Sequence, residues 1–85
     1  MKQFTYTITD PVGLHARPAG LLVKAAREFS SAVTLEAGDR SAGATRLMAL
    51  MGMGIRQGDT VTVKVEGEDE DRAAAALEQF FRDNL

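Results

Sequence analysis

The sequence has no cysteine, no tryptophan and a single histidine among its 85 residues. Without cysteine, the chain forms no disulfide and offers no thiolate to a metal ion. Because only one histidine is present, any metal site would have to be built from carboxylates, and the acidic residues show no spacing typical of such a site. We therefore expect a protein that holds neither a metal ion nor a cofactor.

Strong charge of one sign and long apolar runs are also missing. Ten basic and twelve acidic side chains give a net charge of −2, which argues against a general nucleic-acid binder. No apolar run reaches membrane-spanning length, and the first residues have a strand pattern instead of a signal-peptide pattern. The length suits one domain. We expect a single domain over residues 1–85, cytoplasmic and monomeric, with no membrane insertion.

Alternating apolar and polar residues predict three strands, around residues 4–8, 33–36 and 61–66. A weaker fourth strand is predicted at Arg40–Gly43, after the turn signal Gly38-Asp39. Each of these segments has one apolar and one polar face. The pattern therefore indicates an antiparallel sheet that is covered on one side only.

Three amphipathic segments predict helices at about Ala16–Phe29, at about Arg46–Gly52 and from just after Asp69, with Thr45 as the candidate N-cap of the second. The predicted order is β-α-β-β-α-β-α, an α+β open-faced sandwich in which three helices cover one face of a four-stranded antiparallel sheet. The side chains expected to be buried are Ala19, Leu22, Val23, Ala26 and Phe29 in the first helix, Leu50 in the second, and Ala73, Leu77, Phe80 and Phe81 in the third.

The most informative segment is Gly13–Ala19 (GLHARPA), which places His15 where a helix begins. An imidazole is nucleophilic near neutral pH, and a helix N-terminus favours a bound phosphate. Arg17 adds a planar cation, and the backbone N–H groups of Ala16 and Arg17 are further candidate phosphate contacts. The segment is therefore suited to holding a phosphoryl group on His15. The alternative is a histidine that caps the helix or simply lies at the surface.

This segment resembles the phosphorylation site of the histidine-containing phosphocarrier (HPr) family of the bacterial phosphoenolpyruvate-dependent sugar phosphotransferase system. The resemblance continues through residues 7–9, 47–54, 57–61 and 66–69, and so covers nearly the whole chain. It implies strands in the spatial order first, fourth, second, third. It also implies that His15 accepts a phosphoryl group on Nδ1 from enzyme I and passes it to an enzyme IIA domain in sugar uptake. Catalysis would then be shared with the partners, and the chain would be a carrier and not an enzyme.

Two helical surfaces are candidates for docking these partners. The outer face of the first helix carries cations beside small and apolar residues, whereas the second helix is too apolar to be buried completely. Exposed methionine-rich surfaces suit proteins that bind several partners. The alternatives are a solvated charged face and ordinary core methionines. The resemblance implies docking of enzyme I and enzyme IIA at Arg17, Gly20, Leu21, Lys24 and Arg27 of the first helix and at Leu47, Met48 and Met51 of the second.

One position departs from the family pattern. Many members carry a regulatory serine at the start of the second helix, where this chain has Arg46. Neither Thr45 nor Ser41 occupies that position, so the regulatory serine site is expected to be absent. Two other functions stay open at this point: a regulatory or nitrogen-type carrier without sugar cargo, and an interaction module that is not phosphorylated. A hydrolase with His15 as base would lack a nucleophile or metal cluster.

Overall fold

The computed structural model describes residues 1–85 and has the predicted order of elements. The strands are β1 (Lys2–Thr7), β2 (Ala32–Ala37), β3 (Arg40–Gly43) and β4 (Thr60–Glu66), and the helices are α1 (Ala16–Arg27), α2 (Leu47–Gly52) and α3 (Glu70–Asn84). None of these helices combines the length and the apolar character needed to span a membrane.

The four strands form one antiparallel sheet in the order β1-β4-β2-β3, which confirms the expected topology. A two-residue turn joins β2 to β3, and Gly38 adopts a left-handed φ of 62° there. Register pairs align Thr5 with Thr62, Thr62 with Glu36, and Glu36 with Ser41. These polar residues occupy the face that the helices leave open, whereas the intervening apolar residues face the core.

The core lies between the sheet and the three helices. The helix α3 packs against the central strand β4, whose residues Val61, Val63 and Val65 are fully buried. Phe81 of α3 makes edge-on contacts with Phe4 and Tyr6 of β1, with ring centroids 5.8 and 5.6 Å apart. Burial of such rings is a large apolar contribution to stability in a domain of this size.

Some expected details at the helix ends are wrong. The hydrogen bonds Glu28 N–H to Ala25 O and Phe29 N–H to Ala26 O span three residues, so α1 tightens and ends at Arg27. Phe29 therefore lies beyond the helix. It is only partly buried, with the Arg72 guanidinium 5.5 Å from its ring centroid.

Two further expectations need correction. The N-cap of α2 is Arg46 and not Thr45, because Arg46 has an extended backbone and its carbonyl accepts the N–H of Leu50. In α3, Phe80 is only partly buried, since it lies at the margin of the stripe formed by Ala73, Leu77 and Phe81.

A carboxylate at the N-terminus of α3 ties this helix to the segment before β2. Asp69 accepts hydrogen bonds from the backbone N–H of Ser30 at 2.9 Å, from the N–H of Ser31 at 3.0 Å and from the Ser31 hydroxyl. A Cβ on Gly67 would lie 2.6 Å from the Ser31 oxygen, so glycine is required for this approach. The Ser31 side-chain hydrogen bond, followed by that from the Ser30 N–H, lowers the pKa of Asp69 from 3.8 to about 2.

This network predicts acid-dependent stability. Because the folded-state pKa of Asp69 is lowered, its contribution is complete above its ordinary pKa and is lost as the pH falls toward 2. Asp69→Asn should therefore lower the melting temperature at pH 7, and its difference from the unsubstituted chain should shrink between pH 4 and pH 2. Thermal unfolding followed by circular dichroism measures both effects. Asp71→Asn, on the same exposed helix turn, is the control, and an equal loss there would contradict the prediction.

Candidate functional site

His15 is the residue immediately before α1. Its backbone is extended (φ −93°, ψ −174°), and its carbonyl accepts the N–H of Ala19 at 3.0 Å, which closes the first helical turn. Its side chain makes no capping hydrogen bond. The side chain is partly buried. The backbone of His15 therefore closes the first turn of α1, and its ring has no capping role.

The loop before His15 rests on the segment between α2 and β4. Gly13 has a left-handed φ of 78°, and a Cβ there would lie 2.5 Å from the Ile55 carbonyl oxygen and 2.8 Å from the Cα of Arg56. The N–H of Leu14 donates to the same Ile55 oxygen at 3.1 Å. Gly13 therefore supplies both a left-handed backbone conformation and a close backbone contact that a side chain would prevent.

The first turn of α1 presents donors and positive charge together. Ala16 and Arg17 have no intrahelical acceptor for their N–H groups, because the helical hydrogen bonds begin with Ala19. The turn contains no acidic residue, and Arg17 is exposed and outside every ion pair of the chain. A cation in this turn opposes the helix dipole unless an anion lies beside it. This end of α1 therefore favours an anion.

An open cavity of about 340 Å³ brings these groups together with the end of the chain. It is lined by His15, Arg17, Pro18 and Leu21 and also by Asp10, Asp83 and Asn84. The last three residues were missed at the sequence level. They come near His15 because the N–H groups of Thr9 and Asp10 donate to the Leu85 carbonyl, at 2.6 and 2.8 Å. No local pattern signals that contact.

The cavity also differs from a metal site or a catalytic triad. The described chain contains no group of three or more histidine, aspartate or glutamate side chains arranged to hold a metal ion. The Asp10 carboxylate accepts the N–H of Val12 at 2.8 Å, and the Asp83 carboxylate accepts the Gln79 amide at 2.8 Å. Each carboxylate therefore has a local hydrogen-bonding partner, and His15 remains the candidate nucleophile of the cavity.

The second helix divides into buried and exposed residues as expected. Leu50 is 0% exposed, whereas Leu47, Met48 and Met51 are 40%, 79% and 39% exposed. Met53, directly after the helix, is buried. Because α2 packs against α1, its exposed apolar side chains lie on the helix next to the one that begins at His15.

The outer face of α1 is open to solvent at the predicted positions. Leu21, Lys24 and Arg27 are exposed, and a Cβ on Gly20 would meet no atom within 4 Å. Lys24 and Arg27 also lie in the last turn, where the helix dipole favours cations. We use the term candidate docking surface for eight residues of α1 and α2: Arg17, Gly20, Leu21, Lys24, Arg27, Leu47, Met48 and Met51.

Comparison with known proteins gives consistent matches. The family model described as "PTS HPr component phosphorylation site" matches residues 2–83. The chain is 43% identical over 77 residues to the phosphocarrier protein HPr of Lysinibacillus sphaericus, covering 91% of this chain and 88% of that protein. It is 44% identical over 68 residues to a multiphosphoryl transfer protein of Xanthomonas campestris pv. campestris, covering 80% of this chain and 8% of that protein. A solved histidine-containing phosphocarrier protein of a mycoplasma superposes with a TM-score of 0.93 at 40% identity, covering 96% and 93% of the two chains.

Proposed function

The chain belongs to the HPr family of phosphotransferase-system phosphocarriers, and from this premise we propose that His15 is its phosphoryl acceptor. The group comes from phosphoenolpyruvate through enzyme I and leaves for an enzyme IIA domain in carbohydrate uptake. The observation that carries the proposal is the position of the His15 ring. The ring makes no capping hydrogen bond and lies at a helix start that also presents Arg17 and two unpaired N–H groups.

The transfer step follows from these groups. The Nδ1 lone pair of His15 attacks phosphorus, and the new P–N bond forms as the bond between phosphorus and enzyme I breaks. The N–H groups of Ala16 and Arg17 donate to phosphoryl oxygens, and the Arg17 guanidinium offsets their charge. In the second transfer the P–N bond breaks again as the acceptor group of enzyme IIA attacks. The chain is thus a carrier whose partners supply the catalytic groups.

The candidate docking surface is proposed to bind both partners. Its apolar centre is Leu47, Met48 and Met51, which a partner can cover with a gain in buried apolar area. The exposed cations Lys24 and Arg27 of α1 form the proposed edge of this surface, where charge chiefly affects association rate and orientation. Enzyme I and enzyme IIA then use one surface in turn, with the chain acting as a monomer in the cytoplasm, where phosphoenolpyruvate is formed.

The direct test is incubation of the chain with enzyme I and phosphoenolpyruvate, followed by intact mass measurement. We expect a gain of one phosphoryl group that is lost on mild acid treatment, as the P–N bond of phosphohistidine is acid-labile. Omission of enzyme I is the control. If the mass does not change with active enzyme I, or if the gained group survives acid, the chain does not carry a phosphoryl group on histidine.

The edge cations should contribute mainly to association. Lys24→Gln combined with Arg27→Gln should slow transfer from enzyme I several-fold at low ionic strength, and the deficit should shrink as salt screens the attraction. Stopped-flow or quench measurements over a salt series would show this. Lys2→Gln with Arg82→Gln removes the same charge elsewhere and is the matched control. An equal, salt-dependent deficit in the control would mean that total charge and not this surface matters.

Because it has Arg46 at this position, the chain should not be phosphorylated by an HPr serine kinase. Arg46 is the N-cap of α2, where such a kinase would need a hydroxyl, and a guanidinium cannot accept the phosphoryl group. Arg46→Ser should create an acceptor where the kinase recognises the rest of α2. Labelling with ATP and the kinase, followed by peptide mapping, measures this. Stoichiometric labelling of the unsubstituted chain at Thr45 or Ser41 would contradict the loss of this regulation.

A further inference from the structure

The helix α2 has little of its own to hold its orientation. It is six residues long, which is too short to be stable as an isolated helix. Its buried anchors are Leu50, within the helix, and Met53, directly after its last residue. Its N-cap makes no side-chain hydrogen bond, and neither end carries a charge that would favour the helix dipole. The direction of the exposed apolar residues therefore depends on contacts made by other elements.

Arg40 of β3 makes such contacts at the C-terminal end of α2. Its Nη1 donates to the carbonyl of Met53 at 2.6 Å and lies 3.4 Å from that of Gly54, and its Nε donates to the carbonyl of Ala37 at 3.1 Å. The guanidinium thus joins the last turn of α2 to the β2–β3 hairpin. A cation at this end also interacts favourably with the helix dipole.

The opposite side of the guanidinium faces Asp59. Arg40 Nη2 lies 3.9 Å from an Asp59 carboxylate oxygen, and the same oxygen accepts the N–H of Arg56 at 2.9 Å. Asp59 is held in turn by its N–H bond to the carbonyl of Arg56 at 3.0 Å. Arg40 therefore contacts both ends of the segment that leads from α2 toward β4.

The first part of that segment, residues 53–56, is shared by the two parts of the candidate functional site. Its first residues end α2 and accept the hydrogen bonds of Arg40. Its last residues support the His15 loop, because the Ile55 carbonyl accepts the N–H of Leu14 and the Arg56 backbone leaves room only for glycine at position 13. One short stretch of backbone thus lies between the exposed methionines and the phosphorylation loop.

We propose that Arg40 is a positioning residue that fixes α2, and with it the exposed apolar residues of the candidate docking surface, relative to His15. The inference rests on the proposed function, since it assigns α2 a role in partner binding. Arginine is suited to this task because its rigid fork reaches carbonyls of two separate segments while facing a carboxylate. A lysine at this position would provide only a point charge.

The test compares Arg40→Ala and Arg40→Lys with Arg82→Ala, an exposed arginine of α3, as the matched control. The apparent KM of the chain for enzyme I and for enzyme IIA should rise about tenfold in Arg40→Ala, as expected when the competent orientation falls to about a tenth of the population. The turnover rate at saturation should change little, because partner binding restores the orientation. The apparent KM of Arg40→Lys should lie between those of Arg40→Ala and the unsubstituted chain. The apparent KM of Arg82→Ala should match that of the unsubstituted chain.

Amide hydrogen exchange supplies a readout that does not depend on phosphoryl transfer. In Arg40→Ala and, to a lesser degree, in Arg40→Lys, the amides of Leu50, Met53 and Gly54 should exchange faster, while that of Val63 in β4 keeps its protection. Unchanged exchange in α2 overturns the proposal even if the chain accepts no phosphoryl group. Faster exchange throughout the sheet also overturns the proposal, because it would show a general structural role for Arg40. A fall in the turnover rate at saturation as large as the rise in apparent KM would overturn it for the same reason.

Discussion

His15→Ala is expected to accept no phosphoryl group from enzyme I while retaining the fold. The imidazole ring is the nucleophile of the proposed transfer, and the cavity offers no second nitrogen nucleophile of this kind. The ring makes no capping hydrogen bond, and the backbone of His15, not its side chain, closes the first turn of α1. Intact mass after incubation with enzyme I and phosphoenolpyruvate measures acceptance, and circular dichroism with thermal unfolding measures the fold.

The control for this experiment is Ser41→Ala, which removes an exposed hydroxyl of β3 and should accept the group normally. A phosphoryl group gained by His15→Ala would place the acceptor on another residue and refute the assignment. A loss of both acceptance and fold would show that His15 has a structural role that its contacts do not indicate.

Arg17→Gln, which keeps the imidazole, should still accept the group but more slowly, since one phosphate contact is removed.

Met48→Glu is expected to impair transfer to and from the chain without changing its stability. Met48 is 79% exposed, so a carboxylate at this position stays in water in the free chain. In a complex, however, the charge would be buried against the apolar part of a partner, at a large desolvation cost. Steady-state transfer from enzyme I and transfer to enzyme IIA should both weaken at least tenfold, while the melting temperature stays within about a degree or two.

Leu50→Glu is the contrasting variant on the same helix. Leu50 is 0% exposed, and an unpaired buried charge would cost enough to unfold a domain with stability of about 5–15 kcal/mol. If Met48→Glu unfolds like Leu50→Glu, Met48 belongs to the core and the docking surface is misplaced. If Met48→Glu folds and transfers normally with both partners, α2 does not bind them.

The elements of the fold could largely be predicted because their signals are local. Alternation of apolar and polar residues over a few positions predicted the strands. The excess of apolar residues in a short helix predicted that Leu47, Met48 and Met51 would remain exposed. The helix ends were less accessible. The end of α1 depends on a local change to three-residue hydrogen bonds, and Phe29 lies beside Arg72, which is far from it in the sequence.

The same distinction applies to the site. The candidate residues His15, Ala16 and Arg17 are consecutive in sequence, so a single pattern predicted all three. Asp83 and Asn84 reach the cavity only through the contact between the end of α3 and the loop after β1. Arg40 read as an ordinary strand residue, because its partners are backbone carbonyls that carry no sequence signal of their own.

The placement of β1 at the sheet edge beside β4 has a consequence for how a growing chain folds. Thr7 pairs with Thr60 and Lys2 with Val65, so β1 depends on β4, which is synthesised after β1 and after both strands of the β2–β3 hairpin. The hairpin of β2 and β3 is local and closes early, whereas the pairing of β1 must overcome the closure of a long loop. A nascent chain therefore exposes the unpaired edge and aromatic rings of β1 until residues 60–66 have left the ribosome, which makes this the interval most open to aggregation.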